Sequence, residues 1–112
     1  MRRSTMTVSV IIPTLNEATC IERTLRAVQE QPGPKEIVVV DGGSSDETAA
    51  RAARFARVVE APRGRGVQMN RGADVASGEA LFFLHADTLP PPRGLALIRE
   101  ALADPGVEAG IF

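Results

Sequence analysis

The sequence predicts an α/β fold, a mainly parallel twisted sheet with helices on both faces. Three observations carry this. Apolar segments with strand and helix character alternate as βαβαβαβα, and three crossovers of that kind call for parallel strands. Ile37 to Val40 form an unbroken run of β-branched apolar residues, which suits a strand covered on both faces. Three of the expected strand ends run into polar groups, Pro13 to Glu17, Asp41 to Asp46, and His85 to Asp87. If the strands are parallel, those groups share one rim, where ligands of open α/β sheets bind.

Each element has its own justification. Thr7 to Ile12 reads as the first strand, ended by Pro13, which cannot donate to a ladder. A helix follows to about Gln31, with Ile21, Leu25 and Val28 on one face. Thr14 and Glu17 have capping-box spacing for it. Pro32, Gly33 and Pro34 close it and lead into the strand that ends at Asp41. Gly42 and Gly43 permit a sharp turn and close approach to a ligand, and Ser44 with Glu47 again has capping-box spacing. The second helix is expected over Asp46 to Ala56, with Ala49, Ala52, Ala53 and Ala56 as its packed face. Arg57 to Glu60 is a short third strand, and Ala61 to Gly66 a loop rich in glycine and arginine. A third helix is expected from about Val67 to Ala76, with Met69, Ala73 and Ala76 facing inward. Ala80 to Leu84 is a fourth buried strand. Pro90 to Pro92 open a last helix with Leu95, Ile98 and Leu102 on its apolar face. Val107 to Phe112 reads as the start of another strand, so the expectation is either an edge strand or a domain that continues.

The chain has 112 residues, the size of one small domain. Its net charge of −1 gives no global argument for nucleic acid or an acidic membrane. Of the 13 basic residues all but Lys35 are arginine, a mark of coding bias as much as of function. The single cysteine, Cys20, excludes an internal disulfide and a cysteine metal cluster, and helix packing accounts for it. No stretch has the length of a membrane span, and Val8 to Ile12 is too short for a signal sequence. The default location is the cytoplasm, with a peripheral place at the inner membrane as its variant.

The rim chemistry narrows the ligand. The dinucleotide fingerprint G-x-G-x-x-G is missing after the first strand, where the sequence reads P-T-L-N-E, and no Walker P-loop is present. There remain acids at the first, second and fourth strand ends and basic residues after the third. Asp41 can hydrogen-bond a base or ribose. Asp87 can hold a divalent cation with phosphates and water, or cap the following helix. Arg63, Arg65 and Arg71 can face phosphate oxygens, whereas Arg51 and Arg54 suit a solvated surface. His85 is either part of this site or a half-buried histidine at a strand end. Together these suit a metal-bridged nucleoside diphosphate.

Four motifs, in order from Val8 onward, carry a family resemblance: V-S-V-I-I-P-T-L-N-E, I-V-V-V-D-G-G-S-S-D-E-T, R-G-R-G-V-Q-M-N-R-G-A and L-F-F-L-H-A-D-T. They resemble the nucleotide-sugar half of family 2 glycosyltransferases with the GT-A fold. The nearest likeness is to the bacterial radical-SAM/selenodomain-associated subgroup, whose fourth motif also reads H-A-D-T. The resemblance implies a single nucleotide-sugar-binding domain over residues 1–112, incomplete at its C-terminus. It implies that Pro13, Asn16 and Glu17 line the nucleoside pocket, that Asp41 binds the base, and that Asp46 lies near ribose or base. Arg65, Gly66 and Asn70 would approach diphosphate and sugar, and Asp87 would be the metal-binding acid of D-x-D, holding Mn or Mg. A UDP-sugar is the favoured donor, the acceptor is unknown, and transfer would proceed with inversion. Two departures stand out: His85 replaces the first acid of D-x-D, and the acceptor half with its catalytic base is missing.

Two rivals have recognisable signatures. A nucleotidyltransferase needs a glycine- and lysine-rich loop after the first strand, which P-T-L-N-E does not supply. A non-catalytic nucleotide-binding or interaction module, self-associating through an exposed sheet edge, would follow if the reading frame stopped at Phe112.

Overall fold

The computed structural model describes residues 6–102. Its elements are β1 (Val8–Thr14), α1 (Ile21–Gln29), β2 (Lys35–Asp41), α2 (Thr48–Ala52), β3 (Arg57–Glu60), α3 (Arg65–Val75), β4 (Ala80–Phe83) and α4 (Gly94–Leu102). All strand pairings are parallel, in the order β3-β2-β1-β4. The predicted sheet and alternation are therefore present. The expected strand Val107 to Phe112 lies outside the described residues.

The side-chain period of two splits the core between the faces. Val8, Val10 and Ile12 of β1, with Ile37 and Val39 of β2 and Phe82 of β4, pack on Ile21, Leu25 and Val28 of α1, Ala52 of α2, and Leu95 and Ile98 of α4. Ile11, Val38 and Val40 face the other way, toward Ala73, Val75 and Ala76 around α3. Ile37 to Val40 thus contributes to both faces, as its unbroken apolar run requires.

Several boundaries differ from expectation for identifiable reasons. Pro13 does not end β1 but sits within it, paired with Val40. Ile11 offers its carbonyl to Leu84 on the β4 side and Thr14 offers its own to Gly42 on the β2 side. By that alternation Pro13 points past the end of β4, where no donor is needed. Helix α2 is shorter than expected at both ends: Glu47 occupies the N-cap position without a side-chain bond, and after Ala52 the chain passes into tighter turns, with the amides of Arg54 and Phe55 bonded to the carbonyls of Arg51 and Ala52. Likewise α1 begins at Ile21, with Cys20 at its N-cap, and neither Thr14 nor Glu17 caps it. Helix α3 starts at Arg65 and buries Gln68 and Gly72 rather than Met69. A side chain at Gly72 would overlap Ile11 Cγ2 and stand 3.1 Å from Val40 Cγ2, so this glycine sets how closely α3 lies on the sheet.

Two buried polar residues tie the last helix to the rest. Gln31 accepts the Leu95 amide at 2.8 Å and donates to the Pro91 carbonyl at 3.0 Å, which anchors the first turn of α4. Arg99 is buried and donates to the carbonyls of Met6 at 2.7 Å and Pro32 at 3.0 Å and to that of Pro34. Pro32 to Pro34 therefore does more than close α1. Its Gly33 has φ of 98° and leaves room for the Arg99 guanidinium.

Candidate functional site

The strand order puts a topological switch beside β1. The chain moves outward through β2 and β3, crosses the sheet in α3, and returns on the far side of β1 as β4. Ladder pairing of β1 with β4 ends at Ile11 and Phe83, whereas pairing with β2 continues to Thr14 and Asp41. The end of β1 therefore overhangs, and a notch opens between it and the loop after β4. A cleft of about 250 Å³ lies there, lined by Pro13, Thr14, Leu15 and Glu17 on one side and Arg63, Gly64, Arg65, Gln68 and His85 on the other. Such a switch point is where ligands of open α/β sheets sit.

Asp41 organises the neighbouring loop. Its Oδ1 accepts the Thr14 hydroxyl at 2.8 Å and the Ser44 hydroxyl at 2.6 Å. Its Oδ2 accepts the amides of Gly43 at 3.1 Å and Ser44 at 2.8 Å. Burial pushes this carboxyl upward, but the hydrogen bonds together outweigh it and hold the group below the usual carboxylate range. The acid that the resemblance assigns to the base is thus already occupied by its own loop. Gly43 has φ of 95°, which the sharp turn requires. Gly42 makes its close approach to Gln68, whose Oε1 would lie 2.8 Å from an added Cβ.

A reciprocal clasp joins the loops after β1 and β2. Asn16, at φ of 55°, donates its amide to Ser44 Oγ at 2.8 Å and accepts the Ser45 amide on Oδ1 at 2.8 Å. Thr48 Oγ1 accepts the Glu17 amide at 2.8 Å. Asp46 Oδ1 accepts the Thr48 amide at 2.9 Å and also its hydroxyl, while Oδ2 accepts the Ala18 amide at 3.3 Å. The Thr48 hydroxyl is the leading cause that holds the Asp46 carboxyl low, against a smaller desolvation effect. The spacings that look like capping boxes are used here to bind one loop to the other.

Gln68 was not foreseen as a site residue. It is buried and donates from Nε2 to the carbonyls of Thr14 and Val40, both at 2.9 Å. Its Oε1 accepts the Gly64 amide at 3.1 Å. One side chain thus fixes the ends of β1 and β2 and the start of α3, which positions Arg63 and Arg65 at the cleft. The signal in the sequence is a polar residue one turn before Gly72, on the face that a close-packed helix presents to a sheet.

The remaining candidates are placed as follows. Arg65 rests against His85, its Nη2 3.0 Å from Nδ1 and in contact with Nε2. Gly66 is exposed, with open space where a side chain would stand. Asn70 is not brought to this cleft; it lines a separate one, with Glu60, Val67, Arg71 and Asp74. Its position one turn beyond Gly66 carries it to the outer flank of α3, and Arg71 goes with it. Asp87 lies exposed in the turn after β4, where Oδ1 accepts the Thr88 hydroxyl at 3.2 Å. It does not cap α4, which begins only at Gly94. The turn itself is secured by Thr24 of α1, whose hydroxyl donates to the Ala86 carbonyl at 2.6 Å. Cys20 is half-buried with its thiol 3.5 Å from the same carbonyl. Burial is the main cause that raises that thiol, followed by the Glu17 carboxylate.

No group of three or more His, Cys, Asp or Glu among the described residues could hold a metal ion by itself. Glu17 and His85 line the cleft, and the exposed Asp87 follows His85 by two residues. Few carboxylates with two arginines suit a hard cation that takes most of its ligands from bound phosphates and water.

A parallel sheet with such a switch point is common to many α/β proteins; likeness to solved glycosyltransferases makes this one a GT-A type fold. The model of glycosyl transferase family 2 matches residues 9–111, and the chain belongs to that family. A PGL/p-HBAD biosynthesis glycosyltransferase of Mycobacterium bovis is 43% identical over 88 residues, covering 70% of this chain and 34% of the relative. Glycosyltransferase AglE of Haloferax volcanii is 35% identical, covering 90% of this chain and 37% of its own. Among solved structures, mannosyltransferase PcManGT from Pyrobaculum calidifontis, in complex with GDP-Man and Mn2+, has a TM-score of 0.78 at 38% identity, over 88% of this chain and 32% of that one. Glucosyl-3-phosphoglycerate synthase from Mycobacterium tuberculosis, in complex with Mn2+, UDP-Glc and phosphoglyceric acid, has a TM-score of 0.78 at 26% identity, over 93% of this chain and 42% of that one. The chain spans about a third of the length of the curated relatives it matches.

Proposed function

We propose that this chain binds the donor in a glycosyl transfer, a nucleoside diphosphate sugar with a divalent cation, Mn or Mg. The observation that carries the reading is the cleft at the β1 overhang, with Arg63 and Arg65 on one wall and Asp87 in the turn beside it. It is supported by family membership and by two similar enzymes whose structures hold a nucleotide sugar with Mn2+. The nucleoside lies against Pro13 and the loops that Asn16, Asp41 and Asp46 hold together. The arginines meet the diphosphate, and Asp87 supplies the protein ligand of the cation. When bound, the cation neutralises charge on the departing diphosphate.

Transfer proceeds by direct displacement with inversion. The acceptor hydroxyl oxygen bonds the anomeric carbon, the bond from that carbon to the diphosphate oxygen breaks, and the diphosphate leaves with the electron pair. The acceptor proton goes to a carboxylate base that none of the residues discussed above supplies. Preorganised charge at the leaving group is the contribution of this chain. UDP is the favoured nucleotide on the motif resemblance, and the H-A-D-T motif supports the radical-SAM/selenodomain-associated subgroup.

Calorimetric titration with UDP and GDP, in Mn2+ and in chelator, tests the reading. One nucleotide is expected to bind more tightly with the metal. Asp87→Ala is expected to remove that metal dependence, with affinity in Mn2+ falling roughly tenfold or more. The melting temperature should stay unchanged, because the side chain is exposed. Undiminished affinity of the variant in Mn2+ would sink the metal assignment.

A further inference from the structure

Position 85 holds a histidine where the family resemblance calls for an acid, and the structure shows what the histidine does instead. Its half-buried ring stands just past β4 with the Arg65 guanidinium against both ring nitrogens. A guanidinium carries donors only and an imidazole carries no negative charge, so this contact holds Arg65 without an anionic partner. Arg65 belongs to none of the ion pairs among the described residues. Its charge is thus held in place without being cancelled. An acid in the same place would hold the guanidinium as well and neutralise it.

We propose that His85 is a positioning residue: through a contact that brings no negative charge it fixes Arg65 on the cleft wall and leaves the guanidinium to an anionic ligand. The inference rests on the donor-binding reading and assigns the part of the donor concerned, the diphosphate. Because the charge belongs to Arg65, it acts without a metal. The chain therefore retains measurable affinity for a nucleoside diphosphate when divalent cations are removed.

The test is calorimetry on the full chain with UDP and GDP in chelator, so that Asp87 and its cation play no part. Four variants are compared with the parent: His85→Ala, His85→Asn, Arg65→Met, and His85→Ala combined with Arg65→Met. Loss of the positioned contact is expected to weaken binding roughly five- to tenfold in His85→Ala. His85→Asn keeps a neutral acceptor and should bind like the parent, which also covers the case of a poorly folded alanine variant. In the Arg65→Met background the alanine substitution should have no further effect. Parental affinity in His85→Ala, or an equal loss with and without Arg65, overturns the inference and leaves the donor-site reading standing. A parent chain that binds neither nucleotide, with or without Mn2+, overturns both.

Discussion

Asp41 combines two jobs that a sequence shows only as one acid at a strand end. It terminates β2 and gathers four donors, from Thr14, Gly43 and Ser44, into one carboxylate. Asp41→Asn would turn an amide NH2 toward donors and leave at least one of them unpaired. The expected loss is about 2–3 kcal/mol in denaturant unfolding. The pH dependence follows from the direction of the shift. The folded-state carboxyl lies below its unfolded value, so its stabilisation is complete above about pH 4 and is lost as pH falls through the folded value. Glu36 adds to the same acid limb, since the Ser77 amide is the leading cause that holds it low. In Asp41→Asn the stability curve should flatten below about pH 4, leaving the parts from Glu36 and Asp46. An unchanged acid limb would mean that the charge on Asp41 does not contribute.

Among the elements, α3 carries the tightest steric condition. Gly72→Ala should force α3 away from Ile11 and Val40, at about 1–3 kcal/mol by thermal or denaturant unfolding. Nucleotide affinity should fall with it, because Gln68 on the same face would lose its hold on the rim. A variant as stable as the parent would show that the helix can tilt without strain. This face illustrates where the sequence was legible and where it was not. The apolar runs of β1, β2 and β4 and the stripes of α1 and α4 are long and periodic, and the structure follows them. The third helix has a weaker stripe, and its buried positions are a glutamine and a glycine, which no hydrophobic pattern marks. Thr14, Glu17, Ser44 and Glu47 were misread because the capping motif is local, while Thr14, Glu17 and Ser44 hydrogen-bond across 27 to 31 residues of sequence. Tertiary bonds of that reach leave no trace in spacing. The acids and the arginine-rich loop at the rim were recognisable as chemistry. Only the folded structure shows that Asn70 lines a separate cleft and that Thr14 and Gln68 line the one at the β1 overhang.

At the scale of the whole molecule, the end of the sheet opposite the cleft is closed by a buried cation, Arg99. Arg99 draws the start of the described chain, the Pro32–Pro34 loop and α4 together, and among the described residues its partners are the carbonyl oxygens of Met6, Pro32 and Pro34. Arg99→Met keeps the stem but removes the donors, and should destabilise the chain by about 2–4 kcal/mol. Nucleotide binding by the folded fraction should persist, since the residue lies far from the rim. Loss of binding in folded Arg99→Met would mean that the two ends of the sheet are coupled.

The strand order also has a temporal consequence. Of the described strands β1 leaves the ribosome first and β4 last, yet they are neighbours in the sheet. Until β4 emerges, Thr7, Ser9 and Ile11 have no ladder partner on that side of β1, and Arg99 reaches Met6 only after a further helix is made. Pairings of such long sequence separation are slow to close and leave an adhesive edge exposed meanwhile. Nascent chains arrested before residue 80 should therefore depend on chaperones more than chains arrested after α4 has cleared the exit tunnel.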